Sequence, residues 1–594
     1  MRSKRRGFIS SIFVISLLVL CCLSQCKHRY SAPVFDPRNG GLFVPDSFAV
    51  VVVVDSLKGA IRHLAVNSNG DIYAKLRFPG PGGQNAALRD EDNDGRADRI
   101  EYFDEYIDKS SYGTSMRIHN GYLYFSSVTR VFRQRLTPGQ LVPDSKIELM
   151  LTDTQPPRQH DTKPIAFDDQ GNMYVPFGAP SDCCQVSDRT PMSPGQDSCP
   201  LLEKRGGIWR FDANKTDQFQ TDGHKFATGL RSIVALDWNN DDHHLYTVMH
   251  GRDYLHPNWP DYYSEWESAL LPSEEFLRLE DGSNAGWPYY YYDQMKGKLM
   301  LSPEYGGDGK KEGDGKNYLQ PVVGFPGHFA PNDLLFYEGE QFPERYKHGA
   351  FIAFHGSTSS APYPQAGYCI CFVPFKDGRP SGPWEVFADG FAGIDTVVNT
   401  SDAKYRPMGL AVGPDGSLYV CDSEKGKIWR IMYTGNKTNF STAQLAGMEK
   451  RQRTAPNLRT PDEVKDNLDK EITPPEAVYY KTYCAICHQR NGLGNERFPP
   501  LSESEWVNGD KNLLISIVLN GLQGNFTVKN KSYNNTMPKM YMLSDAKVAQ
   551  ILTYIRQHFN NHADPVTVEN VAAVRKTIEN NNPATTQKTK QKTK

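Results

Sequence analysis

The chain has 594 residues and a formal net charge of −2, with 39% hydrophobic and 23% charged residues. Its length allows several globular domains. Because the charge is close to zero and no basic stripe or nucleic-acid motif is present, the sequence gives no electrostatic basis for nucleic-acid binding.

The N-terminal segment predicts export. A basic stretch at residues 2–6 precedes an apolar run from Phe8 to Leu20, which is too short to span a bilayer comfortably. Residues 23–26 then resemble a lipoprotein cleavage box in which Cys26 carries the lipid, although Gln25 stands where a small residue is usual. We therefore expect residues 1–26 to be a bacterial lipoprotein-type signal, and the protein to be periplasmic or at the cell surface, anchored to the membrane by lipid. Plain secretion with cleavage elsewhere is the alternative.

Residues 33–434 repeat one phrase: an apolar strand, a polar turn containing Gly or Asp, and an apolar strand containing Tyr. Clear copies occupy residues 64–73, 118–124 and 167–175, and each is a β-hairpin signal. Hairpins at wide, regular intervals without long helical patterns favour a β-propeller over a β-sandwich. The length predicts about six blades, with the apolar run Val50–Val54 completing the last blade and closing the ring.

An acidic loop within this region has the ligand spacing of an EF-hand calcium loop. Its positions 1, 3, 5, 9 and 12 are Asp90, Asp92, Asp94, Asp98 and Glu101, and position 6 is Gly95. Because the sequence shows no flanking helix pair, we expect a structural Ca²⁺ loop inserted in a blade. An acidic, solvated loop is the alternative.

Six cysteines lie between the signal and the C-terminal motif described below: Cys183, Cys184, Cys199, Cys369, Cys371 and Cys421. Export would permit disulfides. A bridge from the Cys183/Cys184 pair to Cys199 is favoured, although connectivity cannot be read from a sequence.

The segment 435–474 is charged and polar, and it predicts a linker with a short helix at 461–468. Such a tether would raise the effective concentration of whatever follows it near the propeller. At the other end of the chain, residues 563–594 are rich in Asn, Thr, Gln and Lys, and their composition predicts a disordered tail.

The pentapeptide Cys484-Ala485-Ile486-Cys487-His488 has the C-x-x-C-H pattern of covalent haem c attachment. The thiols of Cys484 and Cys487 can reach both vinyl groups of one porphyrin, and His488 then lies beneath the iron as an axial ligand. A redox-active or zinc-binding C-x-x-C is the alternative.

A second axial ligand is predicted at Met537, because thioether sulfur opposite imidazole raises the reduction potential of haem iron and suits an electron acceptor. Met540 and Met542 are nearby rivals. Ser544 and Asp545 predict a helix start, and apolar residues at helical spacing follow. Residues 475–562 therefore resemble a class I cytochrome c, a small all-α domain.

The propeller region resembles the six-bladed quinoprotein sugar dehydrogenases, and most closely their sorbosone dehydrogenase-like branch, which often carries a cytochrome c domain. The similarity consists of short motifs in a specific order, around His160, Gly229–Arg231, Gly251–Asp253, Gly286–Tyr289, His355–Ser357 and Arg406–Gly409.

This resemblance implies roles for individual residues. His160 corresponds to the general base, which takes the proton of a sugar hydroxyl while hydride leaves its carbon for pyrroloquinoline quinone (PQQ). Arg231 would fork onto a carboxylate of PQQ, and Arg406 is another candidate anion partner. The Arg252–Asp253 loop would neighbour the quinone and its Ca²⁺, which polarises the quinone carbonyl.

The chain departs from the family pattern at two places. Ser232 follows Arg231 where the family usually has Asn. After His355, another expected cofactor neighbour, residues 358–360 read Thr-Ser-Ser, whereas the family commonly reads Trp-Asn-Arg. The aromatic ring and the guanidinium that would contact the quinone are thus missing.

Together these observations predict a mainly β protein, with a six-bladed β-propeller followed by a small all-α cytochrome c domain. The resemblance predicts a quinohaemoprotein that oxidises a sugar-like alcohol or aldehyde with PQQ and passes electrons through haem c to an external redox acceptor. The alternative is a non-catalytic propeller that serves as a binding module for the cytochrome.

Overall fold

A computed structural model describes residues 32–105, 114–155, 159–313, 317–361, 363–394, 397, 400–455, 457–458, 477, 479–480, 483–489, 491–494, 498–534, 537, 539–541 and 543–581. The predicted signal with Cys26, the linker helix at 461–468 and the rival ligand Met542 lie outside these residues.

Six antiparallel sheets follow one another along the described propeller and confirm the predicted six blades. Each sheet below is given in its hydrogen-bonded strand order. Blade 1 comprises Ile61–Val66, Ile72–Gly80, Gly83–Arg89 and Arg99–Phe103. Blade 2 comprises Met116–His119, Tyr122–Ser126, Arg130–Arg135 and Glu148–Thr152, with Gln218–Phe219 added in parallel. Blade 3 comprises Ala166–Phe167, Asn172–Phe177, Gly207–Asp212 and His224–Thr228, with Ser283–Asn284 added in parallel.

The remaining blades have four strands each. Blade 4 comprises Ile233–Asn239, His244–Met249, Glu274–Leu279 and Val323–Phe325. Blade 5 comprises Pro331–Phe336, Ala350–Phe354, Cys369–Val373 and Glu385–Ala388. Blade 6 comprises Pro407–Val412, Leu418–Asp422, Ile428–Tyr433 and, at its outer edge, Phe48–Val54. Two hairpins lie outside the blades, Tyr290–Asp293 with Lys298–Leu301 and Phe375–Lys376 with Arg379–Pro380, as do the short helices Leu255–Asn258 and Glu265–Leu270.

The ring is closed by the strand Phe48–Val54, which pairs antiparallel with Ile428–Tyr433 as predicted. Because a blade packs against a neighbour on each face, this strand is apolar at every position rather than alternating, and Val50 and Val52 are both buried. Their packing against Trp429 joins the two ends of the propeller sequence in one core. The folding of blade 6 therefore requires both the N-terminal strand and the C-terminal strands of the propeller sequence.

The linker is packed against the propeller over its first part. The helix Ala446–Thr454 follows blade 6, and Met448, Ala455 and Leu458 contribute to a core shared with blades 4 and 5. The sequence predicted a tether because charged residues are frequent in this stretch. In the structure, the few apolar side chains of its first part are buried against the propeller.

The C-terminal domain is helical. Its helices are Ala485–His488, Glu505–Asn508, Lys511–Asn520, Asp545–Gln557 and Val568–Asn581, and a short hairpin pairs Asn525–Val528 with Lys531–Asn534. As predicted, Ser544 begins the fourth of these helices, where its side chain accepts a hydrogen bond from the backbone N–H of Lys547.

The expected disorder of the tail is wrong for residues 568–581, which form the last helix. Val571 is fully buried, and Val574 and Ile578 pack against the same core as Ile515 and Leu552. Their helical spacing provides an apolar stripe that the polar composition of the tail conceals. Residues 582–594 lie outside the described part of the chain.

Among the described helices, none combines the length and the apolarity required to cross a membrane.

Candidate active site and haem site

His160 lies in the loop before blade 3, in a left-handed backbone conformation with φ of 60°. Its Nδ1 is 2.7 Å from the carbonyl oxygen of Ala179. Because a carbonyl can only accept, Nδ1 carries the proton and Nε2 is left with a free lone pair. Burial lowers the pKa of His160 well below its usual value, and the charge of Arg231 lowers it further. The ring is therefore neutral at physiological pH and able to take a proton at Nε2.

The loop that holds His160 is fixed by Thr162 and Lys163, which follow it closely. The Thr162 hydroxyl donates to the carbonyl oxygen of Ile233, and the ammonium of Lys163 lies 3.2 Å from Asp153. Asp153 in turn receives two hydrogen bonds from Arg205, at 2.7 and 2.9 Å. These buried partners come from blades 2, 3 and 4, so the orientation of the imidazole is set by the propeller scaffold.

Arg231 is buried, and protein acceptors already face each of its N–H groups. Nε donates to the carbonyl of Asp182 at 3.2 Å, and Nη1 donates to the carbonyls of Gly251 at 2.7 Å and His250 at 3.5 Å. Nη2 donates to the carboxylates of Asp182 and Asp253. The resemblance assigned the Arg231 guanidinium to a PQQ carboxylate, but in this structure its N–H groups donate to protein acceptors. Arg231 thus holds the 250–253 turn in place.

Asp253 contacts side chains from several parts of the site. Its Oδ2 lies 3.4 Å from Arg231 and 3.5 Å from Arg189, and its Oδ1 accepts a hydrogen bond from the Ser359 hydroxyl at 3.1 Å. The ring of His328 lies 3.6 Å from Oδ1. Although burial favours the neutral acid, the nearby ring of His328 and the charges of Arg231 and Arg189 hold the pKa of Asp253 well below its usual range. The carboxyl of Asp253 is therefore ionised at physiological pH.

Arg252, the neighbour of Asp253, points into a different buried cluster. Its Nη1 donates to Glu304 at 2.5 Å, and the indole of Trp259 donates to the same carboxylate oxygen at 2.7 Å. The free thiol of Cys183 lies in this cluster, where burial raises its pKa well above the usual value. This position gives Arg252 a structural ion pair.

His355 and Arg406 meet on another side of the site. Arg406 donates through Nε to the carbonyl of His355 at 3.1 Å and through Nη2 to that of Gly356 at 2.5 Å. Nε2 of His355 lies 2.6 Å from the Ser423 hydroxyl. Burial and the charge of Arg406 lower the pKa of His355 well below its usual value, and Arg62 and Arg77 lower it further.

The structure thus brings His160, Arg231 and Asp253 into one network, whereas Arg252 and the His355–Arg406 pair belong to neighbouring clusters. Sequence reasoning missed further members of these clusters: Arg62, Arg77, Asp182, Arg189, His250 and His328. They lie on strands and irregular loops that carry no motif. A search for positive charge near the predicted histidines could have found Arg62 and Arg77.

The donor chemistry around His355 fits a ligand that carries several carboxylates. Arg62, Arg77 and Arg406 act on the same imidazole, and the nearest described carboxylate partner of the last two is Glu424, at 2.9 and 3.6 Å. Guanidinium groups bind carboxylates bidentately. PQQ has three carboxylates, so its charge matches this group of three arginines better than it matches Arg231 alone, although Nε and Nη2 of Arg406 also have protein acceptors.

A disulfide lies beside this site, between Cys184 and Cys199, which is one of the two pairings that the sequence left open. It closes the loop 184–199, which begins two residues after Asp182, and the Asp182 carbonyl accepts a hydrogen bond from the indole of Trp287 at 2.9 Å. The disulfide therefore supports Asp182, the main acceptor for Arg231.

The C-x-x-C-H motif opens onto an apolar cavity of about 540 Å³. Cys484, Cys487 and His488 line the cavity, together with Met537 and its rival Met540. This volume is within the range of cofactor pockets, and the two thiols, the imidazole and the thioether are the donor set that haem c requires. The described residues therefore fit a covalently attached haem.

The orientation of His488 supports iron ligation. Its Nδ1 lies 2.8 Å from the carbonyl oxygen of Pro499 and donates to it, which leaves Nε2 unprotonated for a metal. Such a hydrogen bond fixes the tautomer and orientation of a ligating histidine. Met537 is held by two backbone hydrogen bonds with Leu522, at 2.8 and 3.2 Å. Its backbone position is therefore fixed on the wall of the cavity.

The acidic loop connects the last two strands of blade 1. One oxygen from each of Asp90, Asp92 and Asp98 lies within 4.8 Å of the others, and these residues form the group of potential metal ligands. Asp94 and Glu101 are outside that group, and Glu101 instead forms an ion pair with Arg99. The loop thus assembles three of the five predicted ligands.

Comparison with known proteins supports both parts of the chain. Residues 116–358 match the glucose / sorbosone dehydrogenase family model, residues 298–434 match the TrAA12-like model, and residues 475–559 match the cytochrome c model. The resemblance predicted from the sequence is therefore confirmed for the propeller and for the cytochrome domain.

Two relatives cover smaller parts of the chain. An uncharacterized protein from Borreliella burgdorferi is 28% identical over 210 residues, which are 35% of this chain and 48% of that protein. Cytochrome c-552 from Thermus thermophilus is 40% identical over 77 residues, which are 12% of this chain and 59% of that protein. The chain thus spans about half the length of the relatives it matches.

Solved structures share the propeller fold. The holo form of the pyranose dehydrogenase PQQ domain from Coprinopsis cinerea has a TM-score of 0.52 and 17% identity, covering 68% of this chain and 98% of its own. The calcium structure of a Trichoderma reesei family AA12 carbohydrate-active enzyme has a TM-score of 0.54 and 17% identity, covering 68% of this chain and 100% of its own. At this identity the similarity concerns the fold alone.

Proposed function

We propose that this protein is a cytochrome-linked dehydrogenase that oxidises a sugar-like alcohol or aldehyde with PQQ. The observation that carries the proposal is His160, whose Nδ1–H is committed to Ala179 while Nε2 remains a neutral base in an arginine-rich site. The match of residues 116–358 to glucose / sorbosone dehydrogenases supports the same chemistry.

In this proposal each residue of the site has one task. His160 takes the hydroxyl proton of the substrate at Nε2. Arg62, Arg77 and Arg406 hold the carboxylates of PQQ, and Arg231 keeps the 250–253 turn and Asp253 in place. Bound PQQ would supply the two-electron acceptor, and haem c would carry the electrons onward to an external redox partner.

The test uses the purified, haem-loaded chain. PQQ and Ca²⁺ are added, then a panel of aldoses, alditols and aldosones, and the haem absorbance is followed. We expect at least one sugar to reduce the haem only when PQQ is present. If no member of the panel reduces the haem although calorimetry detects stoichiometric PQQ binding, the proposed substrate class is wrong.

A second candidate function is a propeller that docks or binds without catalysis. It is favoured by the occupied fork of Arg231 and by Thr358–Ser360, which stand where the family has an aromatic and an arginine. This candidate predicts that calorimetry finds no PQQ binding. Stoichiometric binding would reject it.

We further propose that the protein is exported and anchored by lipid at Cys26. Covalent attachment of haem c outside the cytoplasm supports export, and the cleavage-box resemblance at residues 23–26 supports the anchor. Cys26→Ala should move the haem-containing protein from the membrane fraction to the soluble fraction. An unchanged membrane fraction would contradict lipid anchoring at this residue.

A further inference from the structure

The haem cavity has a second wall, and the propeller builds it. Arg189, Tyr254, Thr358 and Ser359 line the same cavity as the haem-binding residues Cys484, Cys487, His488 and Met537. The cytochrome domain therefore lies over the corner of the propeller where Ser359 donates to Asp253. Thr358 and Ser359, two of the three residues that depart from the family pattern, therefore belong to this shared wall.

Charge is scarce in the cavity. Among its described lining residues, Arg189 and Lys539 are the arginine and lysine side chains, and Glu265 is the acidic one. Haem c keeps two propionate carboxylates after its vinyl groups have reacted. Carboxylates next to an apolar cavity require cationic or hydrogen-bonding partners, because their desolvation is otherwise costly. Arg189 comes from the propeller, and Lys539 comes from the cytochrome domain.

Arg189 has unused binding capacity. Its Nε is buried and has no hydrogen-bond acceptor among the described residues. Its Nη2 is ion-paired with Asp253 at 3.5 Å and with Asp182 at 3.7 Å, and its Nε lies 3.9 Å from Asp188. The guanidinium also lies over the ring of Tyr254, at 5.2 Å from its centroid. The Arg189 side chain is 31% exposed, and its Nη1 has no hydrogen-bond acceptor among the described residues, so Nη1 can donate to one carboxylate of a ligand in the cavity.

We infer that Arg189 is the propeller's counter-charge for a haem propionate, supplied across the boundary between the two domains. Arg189 then fixes how the cytochrome sits on the propeller, and it links the haem to the Asp253 cluster by direct contact. This inference rests on the haem part of the proposed function and not on quinone chemistry.

The test measures the midpoint potential of the haem in the full, haem-loaded chain without PQQ or sugar. A nearby cation stabilises the ferrous haem, which has one positive charge fewer than the ferric form. Arg189→Gln should therefore lower the midpoint potential, and Arg189→Lys should retain most of the wild-type value. Arg345→Gln is the matched control, because Arg345 pairs with Glu385 in blade 5 and does not line the cavity. Equal potentials for R189Q and R345Q would overturn the inference.

A second pair of variants keeps the test decisive if R189Q fails to fold. Thr358→Asp places a carboxylate in the propeller wall of the cavity that Arg189 also lines, whereas Thr358→Asn has nearly the same shape without the charge. We expect T358D to lower the haem potential relative to T358N, and equal values would overturn the inference. If the potentials shift as expected but no sugar reduces the haem, the proposed oxidation fails and the Arg189 contact stands.

Discussion

At the scale of single residues, a variant at His160 can distinguish the loss of sugar oxidation from the loss of electron transfer by the haem. Loss of a general base costs about 10²–10⁴-fold in rate, so His160→Ala should lower sugar-driven haem reduction by that factor in the PQQ-loaded protein. Stopped-flow absorbance measures this rate, and chemical reduction of the haem should be unchanged. The matched control is His243→Ala, because His243 is 65% exposed and pairs with Asp169 outside the site. Equal losses in both variants would contradict the assigned role.

The environment of His160 also predicts the pH dependence. Burial and Arg231 lower the pKa of its imidazole, so protonation of Nε2 needs more acid than the usual histidine pKa of about 6.5. We expect kcat/KM for the sugar to stay constant as the pH falls through that value, and to decline only in more acidic solution. A half-maximal loss near pH 6.5, about the unperturbed value, would show that the base is not this buried ring.

The order of short motifs predicted one site containing His160, Arg231, Arg252, Asp253, His355 and Arg406. The structure places His160, Arg231 and Asp253 together and the other three in neighbouring clusters. The motif order could not predict that the donors of Arg231 are already occupied, since their acceptors come from a cysteine-rich loop and from the 250–253 turn. Arg189 was missed for a similar reason. Its role follows from its position between two domains, which local sequence does not encode.

At the scale of elements, the structure of the acidic loop in blade 1 predicts which of its carboxylates would bind Ca²⁺. The structure groups Asp98 with Asp90 and Asp92, while Glu101 pairs with Arg99. We therefore expect Asp98→Asn to weaken Ca²⁺ binding at least tenfold, which corresponds to about 1.4 kcal/mol, and Glu101→Gln to change it little. Calorimetric titration of the metal-free protein measures both affinities. A larger effect of E101Q than of D98N would instead indicate a rearranged loop of the EF-hand type.

Secondary-structure elements were predicted most reliably where the spacing of apolar residues is not obscured by many polar residues. The apolar run Val50–Val54 predicted a doubly covered strand because no other environment buries consecutive valines. The helix Val568–Asn581 was missed because Asn, Glu and Lys outnumber its apolar residues. Its periodic stripe, marked by Val571, Val574 and Ile578, contains the information that the overall composition hides.

At the scale of the whole molecule, the docked linker determines how the two domains stay together. Arg451 donates from Nε to the buried carboxylate of Asp389 at 2.8 Å, and its guanidinium lies 3.6 Å from the centroid of the Phe43 ring. Asn457 donates to the other oxygen of Asp389 at 3.1 Å. This one carboxylate, which follows the last strand of blade 5, thus holds the described part of the linker at two points.

Breaking this contact should loosen the cytochrome without changing either redox site. Removing one partner of a buried ion pair costs about 3–5 kcal/mol, which exceeds what a short, marginal helix can lose. We expect Arg451→Ala to free the linker, to increase its cleavage by protease, and to slow the sugar-driven reduction of haem in the PQQ-loaded chain. Arg453→Ala is the matched control, because this arginine is exposed on the same helix. If R451A and R453A show the same protease sensitivity and the same reduction rate, the linker acts as a flexible tether and domain placement depends on the haem-side contacts alone.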